Sequence, residues 1–287
     1  MIAILKREIK SYFLTPIGGI YMGFFLLAAG IFFFFSNLFA QSSRFTGFLG
    51  SILFIYLFAI PLLTMRLFSE EKRQKTDQLL LTSPVSVPEI VLGKFLAAFF
   101  VYLLTLFVTV MYAIVIVIFG DLAVWETIGS YMGFICLGAS YIAVGVFISA
   151  GTENQLTAAL VTFFSLMMIW LIDPISQSLP SDLVTGIISA AVLVAALCIF
   201  IYFNMKNLYI VIGTAFAGAL VITALYFIDQ DIFLNFIGKF LAWFSLNKRY
   251  ESFSMGIFKV DSLVYYISFC GLFLFLTVRL IEKRRWN

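Results

Sequence analysis

The sequence predicts an all-α fold, a polytopic transmembrane bundle of about eight helices forming one domain over 1–287, and three observations carry that prediction. Of the 287 residues, 63% are hydrophobic and the mean hydropathy is +1.08. Charged residues make up only 11%, against about 25% in soluble domains. Stretches without Asp, Glu, Lys or Arg recur at 11–43, 45–65, 95–120, 127–152, 154–172, 183–205, 207–228 and 262–278. Each is close to the roughly 20 apolar residues that a bilayer-crossing helix needs. The runs are continuously apolar, whereas the strands of a membrane barrel are about 10 residues long and alternate in polarity. A soluble globular protein is excluded, and the roughly 100 residues left outside the runs are too few for a separate soluble catalytic domain.

At the N-terminus, residues 1–16, Ile2, Leu5, Ile9, Tyr12 and Phe13 recur at three- and four-residue spacing, while Lys6, Arg7 and Lys10 take the other face. Such a helix lies in the interface, its apolar stripe in the acyl boundary and its cations on anionic headgroups. The alternative is a charged helix end continuous with the first span. Pro16, Gly18 and Gly19 supply a break before that span. The run after Lys10 is too long for a secretory h-region and reads as an uncleaved span.

Spans are expected at 17–39, 50–67, 93–119, 130–150, 154–172, 184–204, 208–228 and 262–280. Glu153 and Lys206 each interrupt an apolar stretch too long for one crossing, so the polar residues around them read as tight turns between antiparallel helices. An even number of spans puts both termini on one side. With the termini inside, 13 of the 18 Lys and Arg residues are cytoplasmic: Lys6, Arg7, Lys10, Arg66, Lys72, Arg73, Lys75, Lys94, Lys206, Arg279, Lys283, Arg284 and Arg285. Both termini are therefore expected in the cytoplasm.

The connection from Arg66 to Ile90 is expected to start as a helix over 69–83, with Ser69 as N-cap and Glu70 and Glu71 in its first turn, where carboxylates favour the positive dipole end. It becomes apolar at Leu79, Leu80 and Leu81 and stops at Pro84. A helix with one wet face and a leucine patch docks against a partner or dips its leucines into the lipid interface.

The motif Phe68-Ser69-Glu70-Glu71-Lys72-Arg73, then Thr76, then Leu79-Leu80-Leu81-Thr82-Ser83-Pro84-Val85-Ser86, then Glu89-Ile90-Val91-Leu92-Gly93-Lys94 resembles the signature of ABC type-2 exporter permeases. The closing run, from Tyr265-Tyr266-Ile267-Ser268 to Arg284-Arg285-Trp286, is similar to permeases of the gliding-motility and copper-site-maturation type. The resemblance implies that 69–83 is a coupling helix seated on a separate ATPase, with Glu70, Glu71, Lys72, Arg73, Thr76, Leu79 and Leu80 as docking residues. It further implies cytoplasmic ABC ATPase subunits as partners, carrying the ATP and Mg, and a second permease copy or a similar permease. Where the family usually has Gly before the loop Thr, this chain has Lys75. The family core has six spans, and the hairpin at 184–228 is the extra pair.

In the outer segment 229–261, Ile232, Phe233, Phe236, Ile237, Phe240, Leu241 and Phe244 fall at helical spacing and predict an amphipathic helix of about 15 residues. By resemblance it is an outer gate, with Phe236, Phe240 and Phe244 as gate residues; a helix resting on the outer leaflet is the plainer reading. The tail from Glu282 is a stop-transfer cluster.

The chain has no His, which removes the commonest general base and metal ligand. No Asp, Glu, Lys or Arg falls at the centre of a span, so an ion-coupled carrier is disfavoured. The phosphate-cradling G-x-x-x-x-G-K-[ST] loop is absent. Cys136, Cys198 and Cys270 read as small apolar packing residues. Gly213, Ala215, Ala217 and Ala219 predict close helix approach in the seventh span. No catalytic residue, bound cofactor, metal or nucleic-acid partner is expected. The sequence points to the permease subunit of an ATP-driven exporter of a lipophilic or amphipathic substrate in the plasma (bacterial inner) membrane. A mechanical or scaffold component of a motility or secretion complex is the alternative, and an intramembrane lipid-modifying enzyme a lesser one.

Overall fold

The structure, a computed structural model, describes residues 1–76, 85–180, 182–228 and 233–285. Among these residues there are thirteen α-helices and no strand. Helix α1 spans Ile2–Leu14 and stops at Thr15, whose extended backbone turns the chain before α2, Pro16–Phe33, opens with Pro at its first position. A π-helical turn, Phe34–Phe39, continues α2. The second crossing is built in three pieces: α3 (Phe45–Ile52), a 3-10 turn (Leu53–Ile55) and α4 (Tyr56–Thr64).

After α5 (Ser69–Arg73) come α6 (Val87–Phe119) and α7 (Val124–Gly151). Helix α6 starts before the expected span because Ser86 and Glu89 form a reciprocal capping box, the Ser86 N–H donating to Glu89 Oε2 at 3.2 Å. The turn at Glu153 is tight as expected: Asn154 Oδ1 accepts the Leu156 N–H at 2.9 Å and α8 (Gln155–Ser178) begins at once. The turn at Lys206 likewise joins α9 (Leu183–Met205) to α10 (Leu208–Ile228), with Lys206 in the left-handed region at φ 50°. Then follow α11 (Phe236–Phe244), α12 (Leu246–Ser254) and α13 (Val260–Arg285). Among the described residues seven helices are long and apolar enough to cross a membrane, and the remaining expected span, 208–228, is α10, with a shorter apolar stretch at Tyr209–Ala224.

The chain packs as two compact units, one of Met1–Met168 with Arg249–Asn287 and one of Ile169–Lys248. In the first, α7 is the central helix, packed against α3, α4, α6 and α13. Its small residues set the distances. A Cβ on Gly138 would lie 2.5 Å from the Tyr102 ring, and one on Gly145 would overlap Thr64 Oγ1. Around this seam sits a cluster of buried phenols: Tyr56 and Tyr102 share a hydrogen bond of 2.5 Å, and the Tyr102 hydroxyl donates to the Phe134 carbonyl at 2.8 Å. Such partners offset the cost of burying a phenol hydroxyl.

In the second unit, α9 and α10 form a hairpin whose close approach lies at Gly218 against Val194. At Gly213, where close approach was expected, a Cβ would meet nothing within 4 Å, because the residue falls on the opposite, exposed face. The outer amphipathic helix is also shorter than expected. It begins at Phe236, after Asn235 at φ 54°, and an extended Ser245 separates it from α12, which the spacing did not announce. All three cysteines are free thiols packed among the helices.

Gly145→Ala should destabilise the protein by about 1–3 kcal/mol through overpacking, while Gly213→Ala should leave it as stable or slightly more so. Thermal unfolding of the two purified variants beside the parent protein checks the contrast.

Candidate functional site

The charged residues of the 66–94 connection converge with α1 at one end of the first unit. Glu71 on α5 receives Arg7 at 2.7 Å and Lys94 at 3.0 Å; Glu8 on α1 receives the same two cations at 2.9 and 3.1 Å. Lys94 is 1% exposed, near the start of α6, and also donates to the Leu67 carbonyl at 2.5 Å and lies 5.0 Å above the Phe68 ring. Two cations and two carboxylates make the cluster neutral. That balance allows an ammonium to be withdrawn from water, since a lone buried charge would cost several kcal/mol. Helix α1 comes close enough for these contacts because Gly93 offers no side chain: Ile4 atoms would lie 3.1 Å from a Cβ there.

Two further sets of contacts brace the connection. Arg66 pairs with Glu70 at 3.2 Å and donates to Thr15 Oγ1 and Ser11 Oγ at 2.9 and 3.0 Å, while the Tyr12 hydroxyl donates to the Leu63 carbonyl at 2.7 Å. On the α7 side, Ser149 Oγ accepts the N–H groups of Phe68 and Ser69 at 3.1 and 3.3 Å. These are donors at the start of α5 that have no partner inside the helix. Lys72 is buried and donates to the Ala150 carbonyl in the last turn of α7, where a cation meets the negative end of the helix dipole.

The helix expected over 69–83 is thus revised in two respects. Its N-cap is Phe68, and Ser69 is the first helical residue, fully buried, with its hydroxyl turned back to the Met65 carbonyl. It ends at Arg73 in a Schellman motif: the Thr76 N–H donates to the Glu71 carbonyl at 2.9 Å and the Lys75 N–H to the Lys72 carbonyl at 3.0 Å, with Lys75 at φ 57°. This is a backbone position that favours Gly. Lys75 therefore adopts the conformation that the family's usual Gly would supply.

Of the expected docking residues, Glu70 and Glu71 face the protein in ion pairs and Lys72 is buried, whereas Arg73 and Thr76 are exposed. Leu79 and Leu80 lie outside the described residues. Of the expected interfacial anchors, Lys6 and Lys10 are exposed, and Arg7 is half exposed but committed to Glu8 and Glu71. On α11, Phe240 and Phe244 are exposed with rings 5.3 Å apart, and Phe236 is half-buried beside Phe233. Sequence reasoning missed Glu8, Ser149 and the inward role of Lys94. The available signals were a single carboxylate in an otherwise basic helix and a lysine eight residues into a continuous apolar helix.

Burial works to raise the pKa of Glu8, but Lys94 and Arg7 outweigh it and hold the carboxyl below its ordinary 4.5. No group of three or more Cys, Asp or Glu able to hold a metal occurs among the described residues. Residues 34–176 match the family described as ABC-2 family transporter protein. That stretch contains α3 to α7, hence Glu71, Lys94 and Ser149, and leaves out α1 and the α9–α10 hairpin. No curated protein matches the chain.

Lys94→Met should cost about 3–5 kcal/mol, because it leaves Glu8 and Glu71 to share Arg7 with one negative charge unbalanced. Adding Glu8→Gln should recover part of that loss, measured by thermal unfolding of single and double variants. The stabilisation from Glu8 should be complete above pH 4.5, its unfolded value, and vanish as pH falls through its lower folded value. Melting curves against pH should therefore be flatter below 4.5 in Glu8→Gln. Lys75→Gly should stabilise by about 1 kcal/mol, by relieving the left-handed backbone.

Proposed function

Since the chain belongs to the ABC-2 transporter family, we propose that this multi-pass permease component of an ABC transporter couples ATP hydrolysis on separate cytoplasmic ATPase subunits to export or flipping of a lipophilic or amphipathic substrate. The observation that supports this most directly is the junction itself. The 66–76 segment is tied by ion pairs to α1 and α6 and by hydrogen bonds to α7, so a push on it reaches three helices at once.

The residues then divide into two roles. Arg73 and Thr76, followed by Leu79 and Leu80, form the face that meets the ATPase. Glu71 and Lys72 transmit from behind it, gripping α1, α6 and the end of α7. ATP and Mg belong to the ATPase. The junction end is the cytoplasmic end, in keeping with the concentration of Lys and Arg there, and so are both termini. The permease works as a pair, with a second copy or a similar permease, in the plasma membrane of a bacterium. Lys6 and Lys10 rest on anionic headgroups, and α11, with Phe236, Phe240 and Phe244, shields the outer side.

Co-purification with an ABC ATPase encoded beside the chain tests the division. Arg73→Ala and Leu80→Asp should each reduce the retained ATPase about tenfold with the fold intact, a difference of about 1.4 kcal/mol. Glu71→Ala should retain ATPase yet lose substrate-stimulated hydrolysis. Undiminished retention by both face variants would refute the docking face. A complex that hydrolyses ATP in vesicles yet moves no lipid, drug or peptide would indicate a mechanical role instead.

A further inference from the structure

At the end of α2 away from α1, the π-helical turn and the loop after it border a cavity of about 460 Å³, closed on its other side by the C-terminal end of α6 and by Asp121. Asn37 lines it and is 4% exposed. The orientation of its amide is fixed by two carbonyls: Nδ2 donates to Ser42 at 2.8 Å and to Arg44 at 3.3 Å. Oδ1 is left buried with no hydrogen-bond partner. An orphaned buried acceptor costs about 1–3 kcal/mol, so a partner bearing a donor is called for at this position.

The polar part of the remaining lining is rich in acceptors, beside the Gln41 amide, which can both donate and accept. Ser42 and Ser43 offer hydroxyl oxygens, and Asp121 offers a carboxylate that makes no ion pair among the described residues. The last turn of α6, from Ile116 to Phe119, brings carbonyl oxygens and the negative end of a 33-residue helix dipole. Among the described residues no Lys or Arg lines the cavity. Acceptors, a carboxylate and a helix C-terminus together select a cation that also carries N–H donors. The apolar surroundings are exposed, with Phe39 and Phe119 at 74% and 84%, which suits acyl chains beside a headgroup.

We propose that this cavity binds a primary ammonium group, presented by an ethanolamine phospholipid or by a free amine of the same kind. The site is independent of the junction with α5 and of the ATPase reading. A quaternary ammonium has the charge but no N–H, so it cannot satisfy Asn37 Oδ1.

The test is binding of phosphatidylethanolamine and of phosphatidylcholine with identical chains to the purified full chain, measured by native mass spectrometry and repeated with Asp121→Asn and Asn37→Leu. The ethanolamine lipid should bind the parent protein about tenfold tighter than the choline lipid, Asn37→Leu should erase that preference, and Asp121→Asn should weaken binding of the ethanolamine lipid about tenfold. Asp121 is exposed and makes no ion pair among the described residues, so its variant tests the carboxylate even where Asn37→Leu disturbs the turn. Displacement of the lipid by free ethanolamine would assign the site to the ammonium group alone; failure to displace it, with the preference retained, would assign it to the whole lipid. Equal binding of the two lipids by the parent protein, or undiminished binding of the ethanolamine lipid by Asp121→Asn, would overturn the proposal.

Discussion

The buried ammonium of Lys94 is the constraint around which the first unit is organised. An amine at 1% exposure is tolerable only when carboxylates surround it, and the two that do so come from α1 and α5, 86 and 23 residues away in the chain. Neither carboxylate could be spared without leaving charge unbalanced, and Arg7 completes the neutral set from the side nearer water. The pairing therefore decides where α1 lies, where the connection after α4 turns, and how α6 begins.

The other helices reach this junction through close packing on α7. Gly138 and Gly145 bring Tyr102 and Thr64 against its backbone, and the same helix ends at Ser149 and Ala150, which receive the start of α5 and Lys72. Contacts along α7 thus run from the phenol cluster at its middle to the charged end. Closely packed interiors transmit displacement rather than absorb it, so a connection that is short, braced and partly buried is suited to carry force. The five-residue α5 is held over Arg66 to Lys72 and ends in a Schellman stop that leaves Arg73 to Thr76 exposed.

Much of this was legible in advance. Continuous apolar runs marked the spans, and the polar breaks at Glu153 and Lys206 marked the hairpin turns, because bilayer thickness limits how far an apolar helix can run. The concentration of charge between Arg66 and Lys94 marked the connection at which the ion pairs gather. Side-chain direction was not legible. Glu71 and Lys72, expected among the docking residues, turn inward to Arg7, Lys94 and the end of α7, partners that the local helical pattern does not announce. Gly213 failed for a related reason, since small residues mark either face of a helix and only a neighbour tells which is used.

The sequence by itself determined the class of protein, the approximate places of its apolar helices, and the family pattern in one connection, because these follow from hydropathy and local spacing. The tertiary structure alone decided which charges are partners and which remain for others. The neighbourhoods of Lys94 and Glu8 set them apart but do not name their partners, and Asn37 and Asp121 carry no mark of a shared cavity. Desolvation and charge neutralisation depend on what stands within a few ångströms, and in this chain those neighbours are brought together from segments scores of residues apart.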